Sequence, residues 1–181
     1  FRYSKLIEAV NDADTSILSN ITTVKMYKYF TPTLNSGLKY TLSYNNALYN
    51  PHSGHNSSGG GVISSSGFKV NNDSSLNEHF LDDDGAGNLR LYYLSGTARV
   101  YTDATYGTVD YATGEVVLTS AHITSISNID GASSTQVRVF ATPSSNDIVP
   151  VRNQVLSIDT SNSTITGEVD GIESGSSQAG T

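Results

Sequence analysis

The chain has no cysteine and no tryptophan, one methionine and four prolines among its 181 residues. Without thiols there is no disulfide framework and no thiolate metal site, so the fold must rest on packing and hydrogen bonding. Charge is scarce as well: charged residues make up 15%, with 10 basic against 17 acidic, for a net charge of −7. That balance argues against a duplex nucleic-acid binder, which has to neutralise several phosphates. No apolar run approaches the ~20 residues needed to cross a bilayer. Neither nucleic acid nor membrane is therefore expected as a partner. Phe1 stands where a methionine would start a protein, and no charged segment followed by an apolar one comes after it, so the chain reads as an excised piece without a signal peptide.

What is present points to a β protein rich in loops. Apolar residues make up 36%, enough for one domain with a real core or two small ones packed together. Ser4 is a plausible N-cap, with Leu6, Ile7 and Val10 at near-helical spacing before Asn11 and Asp12, so residues 1–20 read as an N-terminal helical segment. From Ile21 to Phe30 a β-branched and aromatic run is stopped by Thr31-Pro32, and Leu38, Tyr40, Leu42 and Tyr44 then alternate with polar residues. Both read as strands. Residues 49–67 form a long loop of Asn, Ser, Gly and His without periodicity.

Further short strands are expected at Phe68–Val70, His79–Leu81, Leu89–Leu94, Ala98–Tyr101, Thr108–Tyr111, Glu115–Leu118, Thr135–Ala141, Gln154–Asp159 and Thr164–Val169. Turn signals at Asp84–Gly87, Ala112–Gly114 and Thr160–Ser163 separate several of them. The fold class that follows is mainly β, with antiparallel sandwich-like or barrel-like strands and a short N-terminal helix. Residues 21–168 make up the β-rich domain. Residues 169–181, acidic and almost free of large apolar side chains, form a flexible tail that only a neighbour would order.

Catalytic and metal-binding patterns are weak. Asp82-Asp83-Asp84-Gly85-Ala86-Gly87-Asn88 resembles a calcium loop, but Ala86 stands at a ligand position and Tyr93 replaces the bidentate acid, so the stretch reads as a hairpin turn. His52 and His55 could share a metal ion, yet no third ligand is near and the loop is glycine-rich, so solvated histidines are the simpler reading. His79 and His122 have no partnered nucleophile. No serine sits in a nucleophile elbow, and Gly59-Gly60-Gly61 lacks the Lys-Ser/Thr of a phosphate loop. The chain is not expected to be an enzyme, and no cofactor is implied. The eleven tyrosines suit either half-buried strand faces or an interface.

The most distinctive stretch is the polar turn Ser144-Ser145-Asn146-Asp147 running into Ile148-Val149-Pro150-Val151-Arg152-Asn153-Gln154. Pro150 has no N–H and disfavours helix at Val149, so the segment should be extended and outside any central strand. An arginine fork beside two side-chain amides suits fixing one backbone segment to another element or chain. Val149, Pro150, Val151, Arg152, Asn153 and Gln154 are the candidate interface residues; an internal edge segment of the same domain is the competing placement.

That stretch, continued by Val155-Leu156-Ser157-Ile158-Asp159, resembles the large baseplate wedge protein of T4-like contractile-tail bacteriophages in its C-terminal part. Phe1-Arg2-Tyr3-Ser4-Lys5-Leu6 with Asp14-Thr15-Ser16-Ile17 carries the same likeness, as does Tyr106-Gly107-Thr108-Val109-Asp110-Tyr111 with Gly114-Glu115-Val116-Val117-Leu118. The loop at 49–67 carries none of it. The resemblance implies a structural virion protein of the tail baseplate, assembled in the host cytoplasm. Such a subunit dimerises with itself within the inner baseplate ring, contacts other baseplate wedge proteins and the sheath-initiating protein, and transmits the rearrangement that triggers contraction. The alternative is a carbohydrate-binding module of a tail fibre or adhesin, using tyrosines and the loop after Tyr49. A third class, a calcium-dependent hydrolase, would need metal at Asp82 to Asp84 and an acid pair elsewhere.

Overall fold

Alternating side chains and glycine-bearing turns lay about two-fifths of the described residues out as antiparallel strands. The computed structural model describes residues 1–55, 61–150 and 155–169. Helix α1 (Tyr3–Asn11) is followed by β1 (Met26–Phe30), β2 (Gly37–Ser43), β3 (Ile63–Ser65), β4 (Phe68–Val70), β5 (His79–Asp83), β6 (Asn88–Ser95), β7 (Ala98–Asp110), β8 (Glu115–Ile126), β9 (Val137–Ala141) and a 3₁₀ turn at Thr160–Asn162. Among the described residues, no helix is long and apolar enough to cross a membrane.

Strand β8 organises the fold. Its first residues, Glu115 to Leu118, pair with β7, and its last, Ile123 to Ile126, pair with β4. Strands β4 to β8 thereby close into a five-stranded antiparallel barrel, with β2 added along β8. Closing so few strands demands strong local twist, and register shifts between Leu89 and Leu91, Leu91 and Tyr92, and Lys69 and Val70 supply it. The seam between β7 and β8 also needs Gly107: a Cβ there would lie 1.9 Å from the Val117 carbonyl oxygen.

A second sheet, ordered β1-β9-β3, packs against the barrel. Its central strand β9 buries Val137, Val139 and Ala141 completely. Tyr44, just after β2, donates its hydroxyl to the Val139 carbonyl at 2.6 Å in a buried position, linking the two sheets. Leu81, Leu89, Val116, Leu118, Ile123 and Phe68 fill the shared core, each essentially inaccessible.

Several elements differ from the sequence expectation. Helix α1 begins one residue before Ser4, with Arg2 as its cap residue and no side-chain cap of its own. Asp147 replaces it from far along the chain, accepting the Tyr3 N–H at 2.7 Å. The run from Ile21 contributes only Met26–Phe30 as strand. Ala98–Tyr101 and Thr108–Tyr111 are parts of one strand, β7, and Glu115–Leu118 is the start of a strand that continues to Ile126. The loop at 49–67 contains β3, whose Ile63 is 1% exposed.

No strand forms over 155–159 or 163–169, and Thr160–Ser163 is not a hairpin turn: Asp159 caps a 3₁₀ turn there, taking the N–H groups of Ser161 and Asn162. A strand needs a paired backbone, and among the described residues none forms a ladder with these segments. Of the expected strand Gln154–Asp159, Gln154 lies outside the described residues.

Candidate functional site

Strand alternation sends the three consecutive aspartates in different directions. Asp82 lies opposite Arg90 in the β5–β6 ladder and is 1% exposed. Its carboxylate accepts from Arg90 Nε at 2.9 Å, Arg99 Nη1 at 2.6 Å and the Tyr101 hydroxyl at 2.8 Å. Arg90 lies over the Tyr101 ring at 4.3 Å and Arg99 over the Tyr92 ring at 4.7 Å. Burial and the bond to Asp82 raise the Tyr101 pKa. The cluster is a closed clamp in which the carboxylate is held by charged donors, and it fixes the hairpin register.

Asp83 takes the other face, with Leu81. It accepts the Ile63 N–H at 2.8 Å and the Tyr111 hydroxyl at 2.6 Å, joining β3 to the end of the barrel. Burial, then the Asp83 bond and charge, push the Tyr111 phenol far up. Only Asp84 belongs to the turn: its carboxylate accepts from the N–H groups of Ala86 and Asn88 and, at 2.6 Å, from the Asn88 side chain. Burial works to raise its pKa, but the Asn88 side-chain and backbone bonds outweigh that and hold it low. The expected turn over Asp82–Asn88 therefore shrinks to Asp84–Gly87, because Asp82 and Asp83 are buried strand residues of β5 and Asn88 opens β6. Hairpin register could have shown this, since a turn at Asp84–Gly87 sets Arg90 against Asp82.

The two loop histidines stand edge to face, ring centres 5.1 Å apart, and Tyr49 lies 5.3 Å from His55. Their loop is pinned to the β5–β6 turn, where the Gly85 carbonyl accepts from Gly54 N at 3.0 Å and from the Asn50 side chain at 3.2 Å. A depression of about 440 Å³ between them is lined by Asn50, Ser53, Gly85, Asp110 and Tyr111. Asp110 is occupied by the N–H groups of Ala112 and Thr113, and the Thr113 side chain, then these backbone hydrogen bonds, hold its pKa low. His79 is fully buried beside Asn77, and His122 is half-buried in β8.

The interface candidates are described only in part. Ile148 is buried and exchanges backbone hydrogen bonds with Phe1, at 2.9 and 3.2 Å, so the strip before Pro150 is tied to the start of α1. Val149 is 72% exposed and Pro150 is exposed. Val151, Arg152, Asn153 and Gln154 lie outside the described residues.

Beyond them, Val155, Leu156 and Ile158 face solvent at 93%, 44% and 60% exposure. The segment is anchored at Asp159, which accepts the Tyr27 hydroxyl at 2.6 Å on the outer face of β1. Arg138 lies next to this contact, forked onto Asp130 at 2.8 and 3.0 Å and 4.9 Å from the Phe140 ring centre.

No protein family, curated protein or solved structure matches the chain.

Proposed function

We propose that this chain is a structural part of a contractile phage tail, a baseplate wedge subunit that self-associates within the inner baseplate ring. One observation supports the reading most: from Val149 to Val169 the described residues carry six large apolar side chains, each between 44% and 96% exposed. Apolar surface left bare along an extended segment is stabilised by a partner that buries it. Two residues of the wedge-like stretch, Asp147 and Ile148, are hydrogen-bonded to Tyr3 and Phe1, two further residues of the resemblance. Ring subunits of this kind act by shifting between two packings, with no bond made or broken. The other wedge proteins and the sheath-initiating protein are then its remaining partners.

A glycan-binding module of a fibre or adhesin is the alternative, favoured by the half-exposed Tyr49 beside His55. Against it, Tyr92 and Tyr101 have arginines over their rings where a sugar would stack. Sedimentation velocity separates the two. The ring subunit self-associates, and Val149→Asp, at an exposed position, weakens that association without lowering the melting temperature. A chain that remains monomeric and retains glycans on an array is the adhesin.

A further inference from the structure

Strand β1 is an edge strand. Among the described residues it pairs only with β9, so the backbone groups on its other side have no ladder partner. Such an edge is a template for another strand. Residues 164–169, Thr-Ile-Thr-Gly-Glu-Val, show the converse defect. They have a strand pattern and no ladder, with Ile165 91% and Val169 96% exposed.

We infer that residues 164–169 of one copy of this chain add as a strand to the free edge of β1 in a second copy. The inference rests on the self-association reading above and names the surface it uses. Three features favour this occupant. The two elements match in length, since six extended residues span ~20 Å and the five of β1 span ~17 Å. Their charges are complementary: Lys25 and Lys28 lie on or beside β1, whereas residues 159–173 contain Asp159, Glu168, Asp170 and Glu173 and no basic residue.

The third feature is the point of departure. Asp159 is fastened to Tyr27 on the outer face of β1, and the 3₁₀ turn at Thr160–Asn162 then leads to an extended Ser163, so the segment leaves from the same sheet that carries the equivalent edge in its own copy. Reciprocal exchange of this segment between two copies gives a closed twofold contact, in which each sheet gains one strand.

Because the chain has no cysteine, introduced pairs report unambiguously. Tyr29→Cys and Thr166→Cys, placed in separate copies and mixed, are expected to form a mixed disulfide dimer on oxidation. Thr166→Pro, which removes one N–H at an exposed site, is expected to weaken self-association at least tenfold in sedimentation with no change in melting temperature.

Self-association that survives Thr166→Pro overturns the strand exchange while leaving the ring-subunit reading in place. So does crosslinking of Tyr29→Cys to itself, which means β1 pairs with β1, or, when both cysteines are placed in the same copy, their closure within one chain. A wild-type chain that stays monomeric overturns both.

Discussion

Tyr111 and Asp83 meet at 2.6 Å at the end of the barrel, and the same carboxylate holds the Ile63 N–H of the second sheet at 2.8 Å. One buried side chain therefore joins the end of β7 to β3. Tyr111→Phe removes a bond to a charged acceptor and is expected to cost about 2 kcal/mol. Asp83→Ala also strands a buried N–H and is expected to cost about 4 kcal/mol. Urea denaturation of both variants and of the double variant gives the coupling directly, and a Tyr111→Phe cost near zero would remove the hydroxyl from the account.

Arg90 spans Asp82 and the Asp83 carbonyl, through Nε at 2.9 Å and Nη2 at 2.8 Å. Arg90→Ala leaves Asp82 buried with part of its charge unanswered, and a loss of about 3–5 kcal/mol is expected. Lysine carries the charge but cannot make both bonds from one planar group, so Arg90→Lys should recover less than half of the loss. Full recovery by lysine would show that charge alone matters here.

Asp82, Asp83 and Asp84 each answer to protein donors. Adding EDTA is accordingly expected to leave the melting temperature unchanged. A fall of several degrees, restored by Ca²⁺, would show that the stretch holds a metal after all.

The Tyr27–Asp159 anchor should depend on pH at both ends. Accepting the Tyr27 hydroxyl, and then the Asn162 side chain, holds Asp159 below its ordinary 3.8, so its contribution is present above that value and lost as pH falls through the depressed one. The hydrogen bond to Asp159, and then burial, push Tyr27 from 10.0 up to about 12; its contribution is present below 10.0 and lost as pH rises toward 12. Carbon-13 NMR of the Tyr27 ring is expected to report titration near 12 in the wild type and at a lower pH in Asp159→Asn, where burial still holds it up. Equal values in the two proteins would mean that the anchor does not form in solution.

Gly107→Ala tests barrel closure. A methyl 1.9 Å from the Val117 carbonyl oxygen forces β7 and β8 apart, with an expected cost of about 3 kcal/mol or more. Gly96 supplies the control, since at φ +63 a Cβ there meets nothing within 4 Å and only the backbone strain of about 1 kcal/mol applies. Thermal denaturation should separate the two substitutions clearly.

Local chemistry made much of this fold legible in the sequence. Leu38 to Tyr44 alternates because one face of β2 is wet, and the turns at Asp84–Gly87 and Ala112–Gly114 carry glycines where Gly85, Gly87 and Gly114 adopt positive φ. Strand β3 was hidden because three residues are too few to show a period. The second half of β8, Thr119 to Ile126, was hidden because its polar residues mask a pattern that pairing with β4 completes. The wedge resemblance likewise rests on residues alone, and the candidates from Val149 to Gln154 were chosen for their chemistry.

Only tertiary structure decided that β4 to β8 close into a barrel, that Asp83 meets Ile63 and Tyr111 in the core, and that Asp147 caps α1. Each depends on groups far apart in the chain meeting at hydrogen-bond distance, which no local pattern encodes. The segments at 155–159 and 163–169 show the same limit from the other side. Their residues favour a strand, but a strand exists only where a second backbone supplies the partners for its N–H and C=O groups.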